Sequence, residues 1–315
     1  MENPTIPRRW NQNNLPDLTG KKFLITGGTS GLGLSAAREL VKANAQVVFT
    51  ARSENKAQSA LNQISAKSNS RISYLLMDLT DLSSVKAAAN EAAQKFDGAI
   101  DCLILNAGVM ATPFTKTKDG FELQMGTNHL GHFAFAGLLK GAITERIISI
   151  SSQAHRMGSF GDNSTSTIKR ICLGTGKYLP WAAYGASKLA NLLFVSQIER
   201  LRIKNNWPFI PLAAHPGYSD TNLQSVAPQM KSNKWEERTV NLFNSVIAQS
   251  ADKGALPMLC AATFPGLIGA SYLGPDGFME MRGYPKLTRG KALAYDQTLA
   301  ENLWQVSEEL TGVKW

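Results

Sequence analysis

From residue 21 onward, short apolar runs rich in β-branched residues alternate with longer stretches whose apolar positions recur at helical spacing. The runs lie at 23–26, 47–51, 72–77, 102–105 and 146–150, and the helical patterns at about 31–43, 54–66, 82–96 and 120–141. Such alternation is the mark of successive βαβ units and a parallel sheet. The runs are almost unbroken in hydrophobicity, as expected of strands covered by helices on both faces. A further helix is expected near 183–204 and a strand near 209–214, in which Pro211 is the departure and is expected to mark the strand's first residue. The fold class expected is α/β, a single doubly wound parallel sheet. Two stretches break the rhythm. Residues 155–182 are rich in Gly, Ser and Thr and long for a connection. Residues 218–252 include a mixed charged and apolar segment, 235–246, suited to a helix over a cleft. Both are expected to carry substrate-specific structure, within a division into an N-terminal arm at 1–20, a sheet domain at 21–275 and a C-terminal extension at 276–315.

Composition excludes several classes. Hydrophobic residues at 43% and charged residues at 18% describe a globular chain rather than a disordered or fibrous one. Residues 254–275 carry no charge for about the length of a membrane span, but Pro257, Pro265, Gly266 and Gly269 interrupt them. A buried helix, a turn and a short inner strand are expected there, with no membrane span. The first twenty residues lack the apolar stretch of a signal peptide. Cys102, Cys172 and Cys260 are widely spaced, with no metal-ligand pattern, so a reducing, cytoplasmic setting and no metal are expected. The net charge of +9 permits a polyanionic partner, yet the basic residues are dispersed over 8–9, 21–22, 200–204, 231–238 and 282–291. Without a dense tract or a recognition motif, nucleic acid is not the expected partner.

A different polyanion is favoured by Gly27, Gly28, Thr29, Ser30, Gly31, Leu32 and Gly33, which follow the first strand and open the first helix. Glycines let the backbone turn tightly and approach a pyrophosphate, and the helix N-terminus offers free N–H groups to the anion. The spacing is GxxxGxG rather than the usual dinucleotide GxGxxG. At the tip of the second strand an acidic residue would bind the ribose 2′-OH of NAD. This chain has Arg52 there, which can clamp a 2′-phosphate, so NADP is expected over NAD. Further on, Tyr184 and Lys188 stand four residues apart, on one face of the expected helix. A phenol with a pKa of roughly 10 becomes a useful acid–base catalyst when a nearby cation stabilises its phenolate.

With those residues in view, the chain resembles the short-chain dehydrogenase/reductase family from about residue 18 to 275. The resemblance rests on ordered motifs: TGGTSGLG at 26–33, Asp78-Leu79, Asn106-Ala107-Gly108, Asn128 in TNHLGHF, Ser151-Ser152, YGASK, and Pro216-Gly217. It implies a Rossmann sheet and a hydride transfer between a nicotinamide and a carbonyl or alcohol. In that family Tyr184 matches the general acid/base and Lys188 the residue that lowers its pKa and binds the nicotinamide ribose. Ser152 matches the group that hydrogen-bonds the substrate oxygen, and Asn128 the one that holds a water of the proton relay. Thr221 resembles the contact to the carboxamide, Asp78 with Leu79 the adenine contact, and Asn106, Ala107, Gly108, Pro216 and Gly217 further walls of the cofactor cleft. ARSENKA, SSQAH, AHPGYSDTNL and the terminal WQVSEELTGVKW lean toward the retinol dehydrogenase-like and WW-domain-oxidoreductase-like branch, near the protochlorophyllide reductases. The 31 residues between Ser152 and Tyr184 are a longer gap than is common in the family, and that branch shares it. A small or medium, largely apolar substrate and a homodimer or homotetramer are what the resemblance implies. Reduction of a conjugated C=C bond, or a regulator that binds NADP without turnover, remain alternatives.

Other matches carry less. Ser53-x-x-Lys56 lacks its companion motifs. His155 lies three residues after Ser152, but there is no GxSxG elbow for a hydrolase. His129 and His132 are expected to cap or pack on their helix, and most of the six tryptophans to lie in the core.

Overall fold

In the computed structural model, which describes residues 3–64, 71–218 and 249–315, each apolar run becomes a strand and each helical pattern a crossover. The elements run β1 (Lys22–Ile25), α1 (Gly31–Lys42), β2 (Gln46–Ala51), α2 (Glu54–Ile64), β3 (Ile72–Leu76), α3 (Leu82–Lys95) and β4 (Ile100–Leu105). After α4 (Leu123–Met125) and α5 (Gly131–Leu139) come β5 (Ile143–Ile150), α6 (Thr165–Cys172), α7 (Pro180–Asn205) and β6 (Ile210–Ala214). The described chain closes with α8 (Ala251–Gly254), α9 (Leu256–Thr263), β7 (Tyr272–Pro275), β8 (Pro285–Thr288) and α10 (Gln297–Thr311). The sheet order is β3-β2-β1-β4-β5-β6-β7-β8, parallel throughout except for β8 against β7. The order reverses between β1 and β4, which opens a crevice at their carboxyl ends, the place where such sheets bind ligands.

Alternate residues of each strand feed two cores. Phe23 and Ile25 of β1 pack with Ala36, Leu40 and Val41 of α1, whereas Leu24 faces Val85 and Ala88 of α3 and Phe133 of α5. Trp10, only 2% exposed, enters the first core from the N-terminal arm. At the chain's other end Trp304 and Trp315 lie edge-on to one another at 5.1 Å, and both meet Phe133 and Phe194. Of the described tryptophans Trp10 is thus a core residue, Trp207, Trp304 and Trp315 are half-buried against the second core, and Trp181 is exposed.

Four details depart from the pattern-based reading. The helix expected at 120–141 is broken by a π turn at Gly126–Leu130, which holds Asn128. The Gly/Ser/Thr-rich stretch 155–182 contains α6, whose Ile168 and Cys172 are buried beside Leu189 and Leu193 of α7. Strand β8, four residues with a leading Pro285, was too short to show a period. Pro211 is the second residue of β6 rather than the first. Ala213 N–H donates toward β7, to Ser271 O, and Pro211 faces the same way two residues earlier, before β7 pairing begins at Tyr272. Its missing N–H therefore removes no ladder bond. Segment 254–275 is α9, a turn and β7, as its prolines and glycines suggested, and among the described residues no helix is long and apolar enough to cross a membrane. Thr221 and the segment 235–246 lie outside the described residues.

Candidate active site

The glycine turn is shaped by contacts that leave no room for side chains. Gly27 has φ +72°, and a Cβ there would sit 2.9 Å from that of Ala107. A Cβ on Gly33 would fall 2.2 Å from Gly27 O and 2.6 Å from Asn106 Nδ2. Asn106 Nδ2 in turn donates to Thr26 O (2.9 Å) and Gly27 O (3.2 Å), so β4 holds the turn that leaves β1. Gly33→Ala is expected to lower the unfolding free energy by about 2 kcal/mol through overpacking. The check is urea unfolding, with a reduced midpoint at unchanged slope.

This turn has the free donors an anion needs. Ser30 is the N-cap of α1 yet makes no side-chain capping bond, leaving the first N–H groups of the helix available. The turn's amides also touch β2, Gly28 N donating to Thr50 O (3.2 Å) and Gly27 N to Thr50 Oγ1 (3.2 Å). Arg52, two residues beyond Thr50, is exposed beside the turn with no hydrogen bond or ion pair among the described residues. Asp78 Oδ1 accepts Thr80 N (2.9 Å) and Thr80 Oγ1 (2.8 Å), while Leu79 is buried in the second core.

Farther along the crevice α7 brings Tyr184 and Lys188 in as buried side chains, the Lys188 Nζ 5.7 Å from the phenol ring centroid. Lys188 donates to Ile150 O at 3.0 Å, and no other acceptor takes its remaining two N–H groups among the described residues. Burial depresses this ammonium to about 8. Burial pushes the Tyr184 phenol up to about 12, with the neighbouring Ser152 hydroxyl pulling the other way. The tyrosine is therefore protonated throughout the neutral range. Ser152 Oγ accepts Ala154 N at 3.2 Å, whereas Ser151 Oγ donates to Lys188 O at 2.8 Å and so braces α7 against β5. Asn128 grips the backbone of Val109 from both sides, accepting its N–H (2.8 Å) and donating to its C=O (2.9 Å). Gly108 lies between, where a Cβ would stand 2.9 Å from Asn128 Oδ1 and 3.6 Å from Lys188 Nζ. Pro216 and Gly217 close the cleft from β6, Gly217 at φ +68° and against Met281 O.

Asn128, Ser152, Tyr184 and Lys188 thus meet at the carboxyl ends of β4, β5 and the start of α7, with the glycine turn beside them. Comparison with known proteins bears on the family of the whole chain. The family model described as short chain dehydrogenase matches residues 21–170. Polyprenol dehydrogenase of Mus musculus is 33% identical over 311 residues, covering 95% of this chain and 86% of that protein. The chain belongs to the short-chain dehydrogenase/reductase family. Within it the chain sits in the retinol dehydrogenase-like branch: retinol dehydrogenase 12 of Homo sapiens is 33% identical over 303 residues, covering 95% of this chain and 88% of that protein. Among solved structures, an uncharacterized protein from Mycobacterium Paratuberculosis superposes with a TM-score of 0.79 at 36% identity, over 97% of this chain and 98% of that one. A short chain dehydrogenase from Burkholderia cenocepacia J2315 in complex with NADP shares the fold, with a TM-score of 0.61 at 22% identity over 81% of this chain and 96% of that one. The chain is accordingly an oxidoreductase of the alcohol/carbonyl type.

Several members of this short-chain dehydrogenase/reductase site escaped sequence reasoning. Ser187, inside YGASK, donates to Tyr184 O (2.8 Å) and accepts Asn128 Nδ2 (2.9 Å), locking the tyrosine helix to the π turn. His132 does more than pack. Its Nδ1–H donates to Asn128 O (3.1 Å), so Nε2 is the acceptor and takes the proton of Thr26 Oγ1 (2.8 Å). Thr26 Oγ1 meanwhile accepts Asn106 N (2.9 Å) and Ala107 N (3.0 Å), which joins the π turn, the end of β4 and the glycine turn in one network. Burial keeps His132 neutral, at about 3. His155 is neutral too, at about 4, with Nδ1 on Ser152 O (2.6 Å) and Nε2 accepting Lys291 N (3.2 Å), so it is not a base for the Ser152 hydroxyl. Trp181 stands edge-on to Tyr184, ring centroids 6.0 Å apart, while 54% exposed. The signal for Ser187 and His132 was their helical offset from Tyr184 and Asn128; no spacing reveals a pairing as remote as Thr26 with His132.

Proposed function

We propose that this protein is an NADP(H)-dependent oxidoreductase acting on a largely apolar carbonyl or alcohol, with Tyr184 as general acid/base. The observation that carries the reading is the buried Lys188 ammonium beside the Tyr184 phenol, with one protein acceptor and two N–H groups left to bind something else. Ribose hydroxyls are acceptors of the right kind, and the uncapped α1 terminus suits a pyrophosphate. When bound, the nicotinamide supplies or takes the hydride.

The rest falls to the chain. Ser152 and Tyr184 direct two hydroxyl groups at one substrate oxygen, stabilising charge as it develops there. In the reducing direction Tyr184, protonated by virtue of its burial, gives its proton to the alkoxide. Lys188 steadies the phenolate so produced and holds the ribose side of the cleft. Asn128, whose backbone carbonyl also accepts His132 Nδ1–H at 3.1 Å, anchors the water through which the lysine is reprotonated. Arg52 clamps the 2′-phosphate, Asp78 and Leu79 flank the adenine, and Asn106, Ala107, Gly108, Pro216 and Gly217 complete the cofactor cleft; Thr221, outside the described residues, is assigned the carboxamide contact by family resemblance alone. The exposed Trp181 face, reaching from Tyr184 to the surface, supports an apolar substrate. The working place is the cytoplasm.

The test is a panel of aldehydes, ketones and alcohols with the full chain, following nicotinamide absorbance with both NADPH and NADH. Turnover confined to highly charged sugars would sink the apolar reading. The depressed Lys188 adds a pH expectation. An unfolded lysine, near 10.4, holds its proton over the window from about 8 to 10 in which the folded one releases it, so the unfolded state binds more protons and stability rises with pH. Apo wild-type protein is therefore expected to gain stability over that window relative to Lys188→Met, in denaturant titrations at each pH. Parallel pH profiles would reject a buried, titrating Lys188.

A further inference from the structure

On the same rim of the cleft, a tight turn carries two large apolar side chains out into solvent. Phe278 is 82% exposed and Met279 71%. Met279 (φ +50°) and Glu280 (φ +56°) are consecutive left-handed residues with side chains, a conformation that needs support. The support is Glu280. Its carboxylate accepts His215 Nε2 at 3.0 Å, Gln153 Nε2 and Thr288 Oγ1, tying the turn to the ends of β5 and β6 and to β8. Burial alone would raise this carboxyl, but the bonds from His215 and Thr288 outweigh it and hold it at about 2. The turn is thus rigidly built, and its outward face is apolar. Met157, 59% exposed, adds a third apolar side chain next to Arg156, whose guanidinium donates to Arg289 O at 3.3 Å.

The charge around this tip is one-sided. Between 276 and 295 the cations are Arg282, Lys286, Arg289 and Lys291, and the carboxylates are Asp276 and Glu280. Glu280 is half-buried and held by three hydrogen bonds, and Asp276, though exposed, accepts Tyr284 N at 2.8 Å, so the cations outnumber the exposed carboxylate. We infer that the Phe278–Met279 tip with Arg282 and Arg289 is a docking surface for an anionic lipid bilayer. A convex tip with long apolar side chains inside basic ones fits a fluid interface, which accepts apolar insertion without a matching cavity and attracts Lys and Arg to its headgroups. Gly217 and Tyr218 lie directly against the same turn, Tyr218 N donating to Met281 O at 2.6 Å, so docking would bring the mouth of the cleft to the membrane surface.

The experiment is sedimentation of the full chain with vesicles of phosphatidylcholine alone and of phosphatidylcholine with phosphatidylserine, at low and high salt. Binding is expected to the anionic vesicles, and to fall with salt. Phe278→Ser with Met279→Ser should weaken it about tenfold or more, and Arg282→Glu with Arg289→Glu by about twenty-five-fold or more, each neutralised cation near the surface being worth roughly fivefold. Arg282 and Arg289 are exposed, so that pair leaves the fold intact and keeps the test valid if the apolar pair disturbs the turn. Equal binding to neutral vesicles, no binding to anionic ones, or variants that bind like wild type would overturn the inference. So would variants that only dissociate an oligomer in sedimentation equilibrium, which would assign the tip to a second copy of the chain. Vesicle binding is read without turnover, so failure here and failure of the enzymatic reading are separable.

Discussion

Tyr184→Phe is expected to lower kcat by about three orders of magnitude while NADPH affinity stays within about twofold. The substitution removes one oxygen and keeps the ring, so the edge-on packing with Trp181 and the cation above the ring face survive. What disappears is the only hydroxyl of α7 that stands beside both Ser152 and Lys188 in the buried end of the cleft. An alkoxide forming there would keep the Ser152 hydrogen bond but lose its proton source. Steady-state rates on the best carbonyl of the panel, together with fluorescence titration by NADPH, measure the two effects separately. A variant that keeps more than about a tenth of the activity would remove Tyr184 from the acid/base role.

Arg52→Asp should weaken NADPH by about a hundredfold and leave NADH nearly unchanged. The loss combines charge-assisted hydrogen bonds to a phosphate, of about 1.5–3 kcal/mol, with the repulsion a new carboxylate exerts on that phosphate. Arg52 has no partner among the described residues to satisfy it in the free protein, so the substitution breaks nothing else and folding is expected to be unaffected. The ratio of KM for the two cofactors in wild type and variant decides the matter. An unchanged ratio would return Arg52 to the status of a solvated surface charge.

Much of the fold was legible because strands covered on both faces must be apolar on both. Runs such as 47–51 and 146–150 announce themselves without any neighbour in view, and the glycine turn stands out by lying between a strand and a helix. The elements that were missed have equally physical reasons. A four-residue edge strand such as β8 has no period to detect. The π turn at Gly126–Leu130 is hidden because Gly126 and Gly131 fit an α-helical pattern just as well; only the crowding of Gly126 against Thr117 and of Gly131 against Leu79 O makes sense of the wider turn. Pro211 looked anomalous in a strand until the late start of β7 showed that its N–H was never needed.

By itself the sequence determined which atoms are available and in which order the strand ends present them, because periodicity and motif spacing are local properties of the chain. It determined a doubly wound sheet, a glycine turn between a strand and a helix, and a phenol and an amine on one helical face. Tertiary structure alone decided their chemical states. Burial, not proximity of a cation, keeps the Tyr184 phenol protonated and draws Lys188 toward neutrality, and burial depends on what β4, β5 and β6 pack around α7. It also decided the pairings over long separations: Thr26 with His132, Asn128 with Ser187, and Glu280 with His215. Desolvation and long-range hydrogen bonding are set by which segments the fold brings together, and no window of sequence contains both partners.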